Sequence, residues 1–448
     1  MEQVKEEVIL GLLLEKRYHE LKEILNDMNP ADAAALFEEL PQDTLPLLFR
    51  ILAKELAAEV FVELNSDTKE LLIEGFSDTE LKEVLDELYI DDTVDIIEEM
   101  PANVVKRILK HSDSETRSSI NQILKYPKDS AGSIMTIEFI DLKMSMTVED
   151  AFTRIRRIAI DKETIYTCYV IDQNRKLIGL VSVKDLLLAD YSCKIEDIME
   201  TNVICVNTMD DKEKVAQMFG KYDFLALPVV DTEGRLVGIV TVDDAIDVIQ
   251  EENTEDIEMM AAITPTDKPY MQTGIWATWK KRIPWLLLLM ISATFTSRII
   301  SGYESALGAC AVLTTFIPMF MDTAGNAGSQ TSVTIIRGLS LNEIEFKNIF
   351  KIIGKEFCVA ILCGITLAAA NFAKLMIIDR VTMSVAMVVC VTLVITVVFA
   401  KFVGCVLPMF AKKLGFDPAV MASPFITTIV DAISLIVYFR VAVIMLGI

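Results

Sequence analysis

The chain has 448 residues, 52% of them hydrophobic, and a formal net charge of −23. That is too long for one ordinary domain, and the charge is unevenly shared. Residues 271–448 hold 14 Lys/Arg and 8 Asp/Glu, which leaves 28 and 57 for residues 1–270, so an acidic half of −29 precedes an apolar, mildly basic half of +6. Acidity on this scale argues against nucleic acid as a partner and suits either solubility or cation binding. The eight cysteines (168, 193, 205, 310, 358, 363, 390 and 405) show no CxxC or paired spacing, as expected of reduced thiols in a cytosolic and membrane setting. The start, MEQVKEEVILG, lacks a basic n-region with a cleavage site and predicts no signal peptide. His19 and His111 are the only histidines, and no nucleophile–base set converges, so an enzyme is not expected.

Residues 1–127 are polar and helical in period. PADAAALFEELP from Pro30 is echoed sixty positions later by IDDTVDIIEEMP from Ile90, with a third copy, LAAEVFVELN, from Leu56. Repeated short helices predict a stacked, superhelical all-α domain. Most of its acids read as a wet face. Asp91 and Asp95 are spaced i, i+4, so they share a helix face and repel by a few tenths of a kcal/mol. A divalent ion or a neighbouring domain would relieve that.

Residues 128–250 alternate apolar runs with polar turns. YVIDQNRKLIGLVSVKD from Tyr169 matches PVVDTEGRLVGIVTVDD from Pro228 at an offset of 59. Each copy predicts strand, turn, strand and helix. The segment resembles a tandem pair of CBS domains, which implies regulation of a partner domain and possible binding of an adenine nucleotide. No phosphate loop of the GxxxxGK[ST] type is present.

Residues 251–282 are predicted as an acidic connecting helix. Glu251, Glu252, Glu255, Asp256 and Glu258 crowd into eight positions, and Asn253 or Thr254 are candidate N-caps. Such carboxylates are hard-oxygen ligands suited to magnesium or calcium. Trp276 and Trp279, followed by Lys280, Lys281 and Arg282, mark a cytoplasmic membrane interface, along which this helix is expected to lie.

Residues 283–448 predict an α-helical membrane domain of five spans, with apolar cores at 283–297, 305–321, 357–373, 381–400 and 426–439. Nine basic residues fall on one side (280–282, 337, 347, 351, 355, 412, 413) and four on the other (298, 374, 380, 440), so the N-terminus is expected in the cytoplasm. Lys401 is read as snorkelling. Asp431 sits mid-span, where a carboxylate costs ~2.5–3.5 kcal/mol on insertion scales and therefore faces a bundle interior or an aqueous path. It reads as a cation site in a pore. PMFMDTAGNAGSQ, 318–330, is expected to bend at the cytoplasmic end of the second span, with Asn326 and Gln330 offering oxygens. Asp417-Pro418 and Ser423-Pro424 open the fifth span, where the prolines are expected to free backbone carbonyls.

The order of segments, with the GNAGSQ and DPA…SPF…TxxD motifs, resembles the MgtE-type magnesium channel family over the whole chain. The resemblance implies a homodimer in the cell membrane, with a pore on the two-fold axis, taking up Mg2+ down its electrochemical gradient and closed by cytosolic Mg2+. By motif position it implies metal roles for Asp431 and Asp417 in the pore, with Asn326, Ser423 and Pro424 lining it. Regulatory ligands are implied at Glu59, Asp91, Asp95, Glu213, Asp223, Asp244, Asp247, Glu252, Glu255 and Asp256. An ion-coupled secondary transporter of divalent cations, or a membrane-anchored nucleotide sensor, is the alternative reading.

Overall fold

The computed structural model describes residues 2–266, 270, 273–304, 308, 310–421 and 423–447, with the side chains of 2–7, 161 and 423 outside the description. The chain divides into two compact units, Met1–Ile249 and Gln250–Ile448.

The first unit opens with ten short helices, α1 (Glu2–Leu14) to α10 (Ser114–Ile123). The three sequence copies are α3 (Pro30–Glu39), α5 (Lys54–Glu63) and α8 (Ile90–Glu99). Each buries a matching pair, Leu36/Phe37, Val60/Phe61 and Ile96/Ile97, in one continuous apolar core. Starts are set by caps: Asn29 accepts from the Ala31 amide ahead of α3, and Ser77 forms a reciprocal capping box with Glu80 ahead of α7 (Asp78–Leu85).

Two α/β modules follow. In the first, β1 (Ile140–Lys143) leads through α11 (Val148–Ile158) to β2 (Thr167–Ile171), β3 (Leu177–Ser182) and α12 (Val183–Leu188). After the short α13 (Ile195–Ile198), the second repeats this as β4 (Val206–Asn207), α14 (Lys212–Tyr222), β5 (Ala226–Val230), β6 (Leu236–Thr241) and α15 (Val242–Met260). In both sheets the first pair is parallel and the second antiparallel. The register shifts at Val170/Ile171 and at Val229/Val230, again 59 residues apart. The match extends to the irregularities because the same turn chemistry closes each hairpin.

The acidic connecting helix differs from expectation. It is not a separate element: α15 begins at Val242 and runs unbroken to Met260, so Asn253 and Thr254 lie inside it and cap nothing. Trp276, Trp279 and Lys280–Arg282 belong instead to the first long apolar helix, α16 (Ile275–Gly302).

The second unit is helical. After α16 come α17 (Ile317–Ser340), α18 (Ile349–Lys374), α19 (Met383–Lys413) and α20 (Ser423–Leu446). Among the described residues, four stretches are long and apolar enough to cross a membrane: Ile275–Gly302, Phe346–Asp379, Met383–Lys413 and Pro418–Leu446. α17 is long enough but more polar than these four, and it takes up residues 317–321 of the expected span at 305–321, of which 305–307 and 309 lie outside the described residues. The GNAGSQ stretch is not a bend but the middle of this helix. Glycine costs a helix interior about 1 kcal/mol relative to alanine. Here packing offsets that cost: a Cβ built on Gly404 of α19 would stand 2.2 Å from the Gly328 carbonyl oxygen, so the two backbones touch. The prolines of the last segment also behave differently. Pro418 opens a 3-10 turn and Pro424 is the second residue of α20, so neither interrupts a helix. The Pro424 carbonyl accepts from the Thr427 and Thr428 hydroxyls at 2.9 and 3.0 Å.

Candidate functional site

Two polar constellations stand out, one in each unit. In the first unit, Asp91 lies in the first turn of α8 and is only 7% exposed. Burial, then Asp244 and Asp92, push its carboxyl well above the usual range. Asp92 is pushed up to about 6 by burial, opposed by Lys69 and reinforced by Asp243 and Glu138. Asp244, in the first turn of α15 and bonded to the Thr241 hydroxyl, is pushed up to about 7, chiefly by burial. Glu163, just before β2, is pushed up to about 8 by burial and then by Asp92, Asp243, Asp244 and Glu138. Its Oε2 is buried and has no hydrogen-bond partner among the described residues. Glu138 closes the N-terminus of α8, its Oε2 accepting from the Ile90 amide at 3.1 Å and the Thr136 hydroxyl at 2.9 Å. Among the described residues no three acidic, cysteine or histidine side chains converge closely enough to ligate one ion directly.

The expected regulatory residues divide accordingly. Asp91, Asp95 and Asp244 are brought together, Asp244 being the strongest charged neighbour of the other two. Asp95 is exposed at the rim although it is one turn from buried Asp91. Glu59 is exposed on α5; Glu213 sits in the first turn of α14 and accepts from Gln217 Nε2 at 3.0 Å; Asp223 is its left-handed C-cap, φ 55°. Asp247 is exposed one turn beyond Asp244 on α15. Glu252, Glu255 and Asp256 occupy the later turns of the same helix at i, i+3 and i+4, sharing a side of it. Asp92 stands out in the sequence beside Asp91 and Asp95, whereas Glu138, Glu163 and Asp243 do not. Glu163 has no motif around it, and only packing delivers it to the cluster.

In the second unit, Asp431 is in the middle of α20. Its Oδ1 is buried and finds no hydrogen-bond partner among the described residues. α17 passes close by: a Cβ on Gly325 would lie 3.1 Å from Thr427 Cγ2 and 3.7 Å from Asp431 Oδ1. The faces of α17 are unusual for an apolar bundle. Ala324, Gly325, Ala327, Gly328, Thr331 and Ser332 are buried, while Asp322, Asn326 and Gln330, at i, i+4 and i+8, are exposed. Asn326 Nδ2 donates to Asp322 Oδ1 at 3.2 Å, and Asp322 is the charged neighbour of Asp431. Asp322 is a functional candidate that the sequence reading quoted but did not select. Asp417 is exposed and its Oδ1 accepts from the Ala419 amide at 2.7 Å. The Ser423 side chain lies outside the described residues. The end of α15 packs near the start of α20: Met259 and Met260 contact Ile336 and the fully buried Ala419, and Arg337 Nη1 donates to Asn253 Oδ1 at 3.2 Å.

Lys401 does not snorkel. It is 6% exposed, its Nζ donates to Thr331 Oγ1 at 3.1 Å, and it lies 3.8 Å from Glu356 Oε2. A partner 45 residues away made burial cheaper than reaching for the surface.

Comparison with known proteins agrees along the chain. The MgtE intracellular N domain model matches residues 28–129, the CBS domain model matches 131–192 and 195–251, and the MgtE model, described as a divalent cation transporter, matches 317–441. The magnesium transporter MgtE of Thermus thermophilus is 39% identical over 426 residues, covering 94% of each chain. That of Bacillus subtilis is 32% identical over 438 residues, covering 97% of this chain and 96% of its own. A crystal structure of the cytosolic domain of the Mg2+ channel MgtE in complex with ATP is 38% identical, covers 54% of this chain and 98% of its own, and superposes with a TM-score of 0.51. The soluble part of a magnesium transporter gives 31%, 56%, 99% and 0.53. The family models match the chain segment by segment and the relatives match it over nearly its whole length, so the chain belongs to the MgtE family of divalent cation transporters.

Proposed function

We propose that this chain is a magnesium channel that carries Mg2+ across the cell membrane into the cytoplasm, working as a homodimer with its N-terminal unit cytoplasmic. The observation that carries this is the buried Oδ1 of Asp431, without a hydrogen-bond partner among the described residues, beside the exposed polar face of α17. A membrane helix that turns Asp322, Asn326 and Gln330 away from its own bundle needs a wet or polar surface to meet. A second copy across a two-fold axis supplies one. Two Asp431 side chains facing the axis hold a hydrated divalent ion through its waters, since Mg2+ sheds water reluctantly. Asn326 and Pro424 line that path together with Ser423, and Asp417 gathers cations at its mouth. Inward movement needs no nucleotide hydrolysis: each charge gains ~2.3 kcal/mol per 100 mV of inside-negative potential, so a divalent ion gains ~4.6.

Control of the channel rests on the acids of the first unit and α15. Burial and mutual repulsion raise the carboxyls of Asp91, Asp92, Glu163 and Asp244, so each resists ionising without added positive charge. Bound divalent cation supplies the missing counter-charge. Glu59, Asp95, Glu213, Asp223, Asp247, Glu252, Glu255 and Asp256 extend the set outward. A ligand shifts an equilibrium toward the state it binds better, so high cytosolic Mg2+ favours the compact arrangement. α15 carries that state to the pore mouth through Met259, Met260 and Asn253. The ATP complex of the relative's cytosolic domain supports an adenine nucleotide as a further ligand of the CBS pair.

The test is flux in liposomes with Mg2+ fixed separately on each face. Uptake that follows the membrane potential and falls as lumenal-equivalent cytosolic Mg2+ rises supports the reading. Neutralising Asp247, Glu255 and Asp256 together leaves a channel that conducts at millimolar cytosolic Mg2+; normal closure of that triple variant refutes the control scheme.

A further inference from the structure

We infer that Lys401 and Glu356 form a charged strut that fixes the position of α17 along its axis, with the Thr331 hydroxyl as the coupling. The inference rests on the reading of α17 as the pore-facing helix. Three helices meet at this point. Lys401 of α19 donates to Thr331 Oγ1 of α17 at 3.1 Å, and the same hydroxyl donates to Glu356 Oε2 of α18 at 3.0 Å. The polarity is fixed. An ammonium can only donate, a carboxylate can only accept, and a hydroxyl can do one of each. Thr331 is 2% exposed and Lys401 6%, so water does not substitute for either partner.

Apolar packing alone would hold these helices together, as it does elsewhere in the bundle, and a buried ion pair is weak evidence for stability. What such a pair supplies is register. Dispersion contacts tolerate a small slide, whereas a hydrogen bond fails within a few tenths of an ångström beyond its range and within some tens of degrees. The strut sits one turn beyond Gly328, which packs against the Ala400 carbonyl oxygen and Gly404 of α19. It is six residues, about 9 Å along a helix, from Gly325, whose bare backbone meets Thr427 and Asp431. An axial shift of α17 released at Thr331 is therefore delivered undiminished to Asn326, Asp322 and the carboxylate of Asp431. Lys401, Glu356 and Thr331 are positioning residues: none touches the ion path itself.

The experiment uses the full-length protein in liposomes, reading Mg2+ and Ca2+ flux, with melting temperature in detergent as a second readout. Thr331→Val keeps shape and removes only the hydroxyl; it is expected to lower the Mg2+-to-Ca2+ flux ratio at least threefold at unchanged yield, and Thr331→Ser to restore it. Lys401→Met and Glu356→Gln singly are expected to lower the melting temperature, and the double variant to recover most of that loss without recovering the flux ratio. Wild-type flux ratios in Thr331→Val and in the double variant overturn the proposal, as do additive melting shifts for Lys401 and Glu356. An Asp431→Asn control separates the two readings: if it conducts normally the pore assignment fails, while the non-additivity at 356 and 401 still decides the strut.

Discussion

The two units treat buried charge in opposite ways. Around α8 and α15 at least four carboxylates, Asp91, Asp92, Glu163 and Asp244, are partly desolvated with no comparable number of cations. Among the membrane helices, Lys401 is matched against one acid through one hydroxyl, and a carboxylate oxygen of Asp431 is left without a partner. The difference follows from solvent. Where water, protons and ions have access, surplus charge is tolerated and can titrate in a graded way. A bilayer offers none of these, so a charge there is costly unless it is paired or meets an aqueous path. On the proposed reading, the acids of the first unit and the lone oxygen of Asp431 both await a cation.

The sharpest way to break this contrast is at Asp431. Asp431→Ala is expected to reduce Mg2+ uptake at least a hundredfold while the protein still reaches the membrane, measured by flux and by surface-normalised quantity. Near-normal uptake would mean that Asp431 is structural. Next in size is the helix seam. Gly404→Val forces a branched side chain against the Gly328 carbonyl, and overpacking costs about 1–3 kcal/mol, so the melting temperature in detergent should fall by several degrees. An unchanged melting temperature would show that α17 and α19 are free to separate.

The acid cluster makes a prediction of sign. Folding raises the carboxyls of Glu163 to about 8 and Asp244 to about 7, mainly through burial. The folded state therefore holds protons that the unfolded chain has already released, and stability contributed by these groups is lost as pH rises from about 4 to about 8. Hydrogen-exchange protection of the first unit in the full-length protein, taken relative to the intrinsic rate at each pH, should fall over that window without divalent cation, and Mg2+ at pH 8 should restore it. Asp91→Asn should flatten both responses; a response unchanged by that substitution would remove Asp91 from the sensor. The smallest effect expected is at Tyr438, whose buried hydroxyl donates to the Leu313 carbonyl at 2.8 Å. Tyr438→Phe should cost about 1 kcal/mol of stability and leave flux and its Mg2+ dependence untouched.

How much of this was legible from the residues depended on distance along the chain. The helical copies, the paired hairpins and Asp431 were readable because periodicity, turn chemistry and hydropathy are local. The α17 helix was misread because its glycines signal a bend locally, and only the backbone of α19 and the side chains of Ile426 and Val430 make them packing surfaces. Lys401 was misread for the same reason: its partners are 45 and 70 residues away. Glu163 and Glu138 carry no motif and join the cluster only when the N-terminal helices dock on the α/β modules. Asp322 stood inside a quoted motif, but which side of the helix it occupied could not be read until the buried side was known.

The contact between Gly328 and Gly404 has a bearing on how such a channel can widen. With main chain touching main chain and no side chain between them, α17 and α19 behave as two staves glued edge to edge. In the proposed dimer, any increase in bore would then come from tilting that whole plate against its counterpart, or from swinging α20 across it, so the aperture would open as leaves of a door rather than as an iris.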